Sequence, residues 1–194
     1  MNAIPKSDIP NPGKYYRYFK RHSSKLSPNS EWLCRMLASW SVGLGALPDA
    51  IGLEPADFKR LQQSFFRALN IPAQAVSGRT ADFSRMLERE DLIRYLHVRA
   101  AYPEREETFW ITSILVAGCL GEDHLWQDMG LWSRQELSGL IAYNFPSVAA
   151  ANHQDMKWKK FLYKQLCETE GIYVCRAPSC DVCLDYSRCF GSEE

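Results

Sequence analysis

Four cysteines stand within fifteen residues: Cys175, Cys180, Cys183 and Cys189, spaced C-x4-C-x2-C-x5-C in CRAPSCDVCLDYSRC. Thiolates are soft ligands suited to zinc and to iron–sulfur clusters, and four this close can converge on one centre. Pro178 lacks a backbone donor, so an ordinary helix is excluded and a loop is expected. Structural zinc favours two C-x2-C-type knuckles separated by a dozen or more residues. Here a single C-x2-C is flanked by lone cysteines, which suits a loop wrapped round a larger object. Iron–sulfur clusters are such objects. C-x4-C-x2-C opens the plant-type ferredoxin pattern, although the fourth cysteine there lies far downstream. Spacing alone ranks iron–sulfur ahead of zinc and leaves both open. Disulfides rank last, because seven cysteines cannot all pair and a reducing compartment keeps thiols free. A thioredoxin-like use of Cys180 and Cys183 lacks its βαβ surroundings.

The segment before the motif adds a second set of candidates. At 100° per residue, Trp158, Phe161, Leu162 and Leu166 form an apolar stripe. The opposite face gathers His153, Lys157, Lys160, Lys164 and Cys167. That face is either a solvated basic surface with a stray cysteine, or a cationic surface that receives an oxyanion or faces the cluster. Arg176 and Arg188, beside the thiols, are either charge partners of an anionic thiolate-bound cluster or ordinary loop charges.

The elements that must position these groups read as helices. EWLCRMLASW ends at Gly43 or Gly45. Pro55 suits a first helical turn before DFKRLQQSFFRAL. Phe83, Met86, Leu87, Leu92, Ile93 and Leu96 mark another helix. EETFWITSILVAGCL is apolar nearly all round, as a central buried helix would be. Ser133 and Glu136 form a capping box for RQELSGLIAYNF, which Pro146 stops. Asn152 and Asp155 have cap-like spacing before MKWKKFLYKQLCETE, and Gly171 is a natural stop. No hairpin signal, period-two run or internal repeat appears. The expected fold is all-α: a small helical bundle over residues 29–171, a basic, Pro-rich and loosely ordered arm over 1–28, and a cysteine-rich metal-binding loop over 172–194.

Composition bounds the function. The chain has 194 residues, 46% of them hydrophobic, and zero formal net charge. That is enough apolar material for a core, and it disfavours a globally basic nucleic-acid binder. The first residues lack the apolar run of a secretory signal. The longest apolar stretch, TFWITSILVAGCL, is too short to span a bilayer. A cytoplasmic protein with no membrane or nucleic-acid partner is expected.

The cysteine spacing, followed by Phe190 and Gly191, resembles the NifQ family of nitrogen-fixation proteins. So do NHQDMKWKKFLYKQLCETEG and the words HLWQDMGL and RQELS. The resemblance is strongest over residues 120–191. It implies a molybdenum carrier for assembly of the iron–molybdenum cofactor of nitrogenase: a metallochaperone, not an enzyme. Cys175, Cys180, Cys183 and Cys189 would hold an iron–sulfur cluster of the 3Fe-4S or 4Fe-4S type, with molybdenum as cargo. The implied recipients are the cofactor scaffold complex and the nitrogenase iron protein. Molybdenum prefers more than four ligands, so His124, His153, Asp155 and Cys167 are candidates for further donors. A zinc-stabilised interaction module and a redox or electron-transfer iron–sulfur protein without molybdenum are the alternatives.

Overall fold

The structure, a computed structural model, describes residues 11–170. Nine α-helices occur among the described residues, with no strand: α1 (Pro12–His22), α2 (Pro28–Trp40), α3 (Pro55–Phe65), α4 (Arg89–His97), α5 (Glu106–Gly118), α6 (Leu125–Asp128), α7 (Arg134–Asn144), α8 (Pro146–Ala151) and α9 (Trp158–Glu170). None is long and apolar enough to cross a membrane. The all-α expectation holds.

Helix α5 is the centre. Eleven of its thirteen residues are buried, as a segment apolar on all sides must be. Helix α4, α3 and the turn at Asp49–Gly52 pack on it. That turn is left-handed at Ala50, Ile51 and Gly52 (φ 51, 51 and 87°). Gly52 is required there, because a Cβ would stand 2.3 Å from the Ala117 side chain of α5.

A buried polar network ties three helix ends together. Glu107, in the first turn of α5, pairs with Lys25. It accepts from Ser27 Oγ and Asn29 Nδ2, each at 2.6 Å. Asn29 and Asn144 exchange side-chain bonds at 2.8 Å, which joins the start of α2 to the end of α7. Burial acts to raise the Glu107 carboxyl, but bonds from Lys25, Ser27 and Asn29 outweigh it and hold the group below the usual carboxylate range.

Several boundaries follow the residues that suggested them. Ser133 Oγ accepts from the Glu136 N–H at 3.3 Å. The Glu136 carboxylate reaches one residue further than a capping box would, to the Trp132 N–H at 2.9 Å. Pro146 ends α7 and also opens α8 at a position that needs no donor. Others differ. The helix expected from Phe83 to Leu96 begins at Arg89, after a 3-10 turn at Phe83–Arg85, and Leu87 is exposed. Within the stretch read as a loose arm, residues 12–22 form α1, capped by Asn11. Phe19 anchors that helix in the core against Phe66, ring centroids 5.9 Å apart.

Candidate metal centre

The four cysteines of the motif, with Arg176 and Arg188, lie outside the described residues. What is described is the ground they spring from. The described part of helix α9 runs to Glu170, five positions before Cys175 in the sequence, and Gly171, read as its stop, lies outside the described residues.

Helix α9 forms because its apolar residues recur at helical spacing, and the predicted stripe is the buried one. Trp158, Phe161, Leu162 and Leu166 are all in the core, joined by Tyr163. Trp158 Nε1 donates to Ser138 Oγ at 3.0 Å, and its ring meets Phe161 edge-on at 5.8 Å. Helix α9 also packs on α4.

The turn before α9 is closed by residues whose roles differ from the expected caps. Asn152 accepts from the Met156 N–H at 2.9 Å and donates to the Met156 carbonyl at 3.0 Å. Asp155 takes a left-handed φ of 52°. Its carboxylate pairs with Arg134 at 2.7 Å, and the same guanidinium donates to the Asp155 and Met156 carbonyls. Asp155 is thus committed to a clamp.

The candidate donors do not share one place. His124 precedes α6, exposed, its backbone N–H given to Gln127 Oε1 at 3.3 Å. His153 is exposed on the loop before α9, its Nδ1 3.1 Å from the Ala151 carbonyl. Cys167 is partly exposed near the other end of α9. Among the described residues no three His, Cys, Asp or Glu side chains converge as a metal site would need. Of the cationic row, Lys157 and Lys160 are partly buried and Lys164 is exposed, 3.8 Å from Glu168.

The remaining cysteines are core residues. Burial pushes both the Cys34 and Cys119 thiols up to about 12, so neither supplies a thiolate at neutral pH. Cys167 is the described cysteine that reaches the surface.

One cluster escaped the sequence reading. Lys159, on α9, turns inward to pair with Asp128 at the end of α6, and donates to the Gly121 carbonyl at 2.7 Å. Asp128 is only 3% exposed. Burial drives its carboxyl up, and Lys159 offsets only part of that rise. Gly121 makes room for it: a Cβ there would fall 2.2 Å from Asp128 Cγ. The available signal was an acid between Leu125 and Met129 on a short apolar helix, which needs a buried partner. Lys159 thereby fastens α9 to the end of α6 and to the turn before it, alongside a cleft of about 740 Å³ that Asp128 helps to line.

Comparison with known proteins bears on most of the chain. The family model NifQ matches residues 32–191. The chain is 41% identical over 175 residues to Protein NifQ of Azotobacter vinelandii, covering 85% of this chain and 89% of the relative. It is 35% identical over 161 residues to Protein NifQ of Rhodobacter capsulatus, covering 83% and 87%. For Protein NifQ of Klebsiella pneumoniae the identity is 34% over 169 residues, covering 84% and 99%. No solved structure matches.

Proposed function

We propose, starting from the fact that the chain belongs to the NifQ family, that it carries molybdenum for assembly of the iron–molybdenum cofactor of nitrogenase. It acts as a cytoplasmic metallochaperone and not as a turnover enzyme. Cys175, Cys180, Cys183 and Cys189 hold an iron–sulfur cluster, and molybdenum travels with it to the cofactor scaffold complex and the nitrogenase iron protein. The observation that carries this reading is a family match reaching through residue 191, so that it includes all four cysteines.

The chemistry of the donor set fits. Iron–sulfur clusters are held by cysteine thiolates, and three iron corners take three thiolates, leaving the fourth for molybdenum or another iron. The helical domain supplies a fixed base. Three attachments hold the beginning of α9: Lys159 to Asp128, Trp158 to Ser138, and Arg134 to the Asp155–Met156 backbone. Cys167 stands eight residues before Cys175, whereas His153 lies at the opposite end of the helix and Asp155 is held by Arg134. This favours Cys167 as the extra sulfur donor. Lys157, Lys160 and Lys164, with Arg176 and Arg188, offset the negative charge of the cluster and its cargo.

The test is transfer. Molybdenum-loaded protein is mixed anaerobically with cofactor-free scaffold complex, and the two are separated and assayed for metal. Movement of molybdenum to the scaffold supports the reading. Retention of molybdenum on this chain contradicts it, and a chain that takes up iron and sulfide but no molybdenum favours an electron-transfer role.

A further inference from the structure

Helix α1 has a second side that the core does not use. At 100° per residue Arg17, Arg21, Lys14 and Tyr18 fall in that order within an arc of about 100°, and all four are exposed. The helix PGKYYRYFKRH contains no acidic residue. Lys20 and Lys25 are engaged by Glu31 and Glu107. Among the described residues no ion pair engages Lys14, Arg17 or Arg21. In a chain of zero net charge this is a local concentration of cations with no ion-pair partner among the described residues.

Beside this row lies a groove of about 480 Å³, lined by Lys14, Tyr15, Tyr18 and Phe19 of α1, by Trp40, and by the 69–76 loop. Its floor is apolar: Phe19, Trp40 and Ile71 are buried. Its rim is apolar and open, with Tyr18 50% and Val76 70% exposed. The loop wall is tied in place. Gln62 donates to the Ile71 carbonyl at 3.0 Å and accepts from the Ile71 N–H at 2.8 Å, and Asp49 accepts from the Ala75 N–H at 2.6 Å. A preformed apolar slot with exposed cations beside it is the complement of one kind of surface: large apolar side chains alternating with carboxylates.

We infer that α1 and this groove form a docking surface for an acidic, amphipathic segment of a partner protein, whose apolar side chain enters the slot while its carboxylates meet Lys14, Arg17 and Arg21. A bilayer fits less well. A flat interface cannot fill a concave slot, and Phe19, the most apolar residue of α1, points into the core where an interfacial helix would point it at lipid. The surface operates whatever cargo the cysteines carry, and its loss would leave the carrier function of the chain standing.

The test uses the full chain and a fluorescein-labelled synthetic helix with Glu on one face and Leu and Phe on the other. Its Lys-for-Glu counterpart, phosphatidylserine-containing vesicles and a single-stranded oligonucleotide serve as competing probes. Anisotropy should show binding of the acidic helix and none of its Lys counterpart. The Arg17→Glu/Arg21→Glu variant should weaken binding at least about tenfold and flatten its salt dependence. Tyr18→Ala should weaken it several-fold. The Arg17→Glu/Arg21→Glu variant should keep the parent melting temperature, since both side chains are exposed, and Tyr18→Ala should still unfold cooperatively. Hydrogen-exchange protection should concentrate at residues 14–22 and 69–76. Absence of binding, equal binding by the charge-reversed variant, tighter binding of vesicles or oligonucleotide, or a self-association of the chain abolished by charge reversal would each overturn the inference.

Discussion

At the scale of single residues, the chain sorts its cysteines by burial. Cys34 and Cys119 are held as neutral core thiols, so replacing either with Ser should cost stability and leave metal binding intact. Cys167→Ser should do the reverse: metal analysis should show molybdenum falling more than iron, with the urea midpoint unchanged. Equal loss of both metals would make Cys167 an iron ligand. Lys159 carries a different prediction. Lys159→Met leaves the Asp128 carboxylate buried and unpaired, which should cost about 3–5 kcal/mol at neutral pH by urea denaturation. Adding Asp128→Asn should recover much of that loss, because the uncompensated charge is gone. The sign with pH is informative. A carboxyl whose folded pKa is raised binds its proton more readily in the folded state. The Asp128 site therefore loses stability as pH rises from the ordinary carboxylate value to the raised one. The Lys159→Met deficit should accordingly shrink on acidification. The donor types and the cysteine spacing were legible in the sequence. The Asp128–Lys159 pair was not, because a lysine among lysines on a basic helix shows no sign of facing inward until α6 is folded against it.

At the scale of elements, the polar network at Glu107 fastens the beginnings of α2 and α5 to the end of α7. Its pH dependence has the opposite sign to that of Asp128. Glu107 is held below the ordinary carboxylate range, so its contribution is fully present above that range and is lost as pH falls through the depressed folded value. Glu107→Gln should lower stability by about 1–3 kcal/mol at neutral pH and flatten the decline in urea midpoint seen on acidification below about pH 4.3. A variant whose acid limb matches the parent would show that other carboxylates govern it. Elements with strong local signals were readable: α5 from unbroken apolarity, α7 from Ser133 and Pro146, α9 from its stripe. Helix α1 was not, since its sequence is basic and aromatic and its order depends on Phe19 finding Phe66 some forty-seven positions away. The turn at Asn152–Met156 was misread for a related reason. Asp155 has the spacing of a cap, but the distant Arg134 takes its carboxylate. Contacts between residues far apart in the chain decide such cases, and local pattern does not report them.

At the scale of the whole molecule, a hydrophobic core runs from Phe19 to Leu166 among the described residues. Under the proposed function, a metal at Cys175–Cys189 would be cargo on this domain and not the source of its folding. Anaerobic chelation should leave the helical circular dichroism and cooperative unfolding of the domain in place. Collapse on chelation would instead mark a metal-dependent fold, as in a zinc-stabilised module. The central claim is most directly tested by elemental analysis of anaerobically purified protein from cells supplied with molybdate, for iron, molybdenum, zinc and acid-labile sulfide, beside Cys183→Ala. The account predicts iron, sulfide and molybdenum together, all falling in the variant. Stoichiometric zinc without sulfide would contradict it.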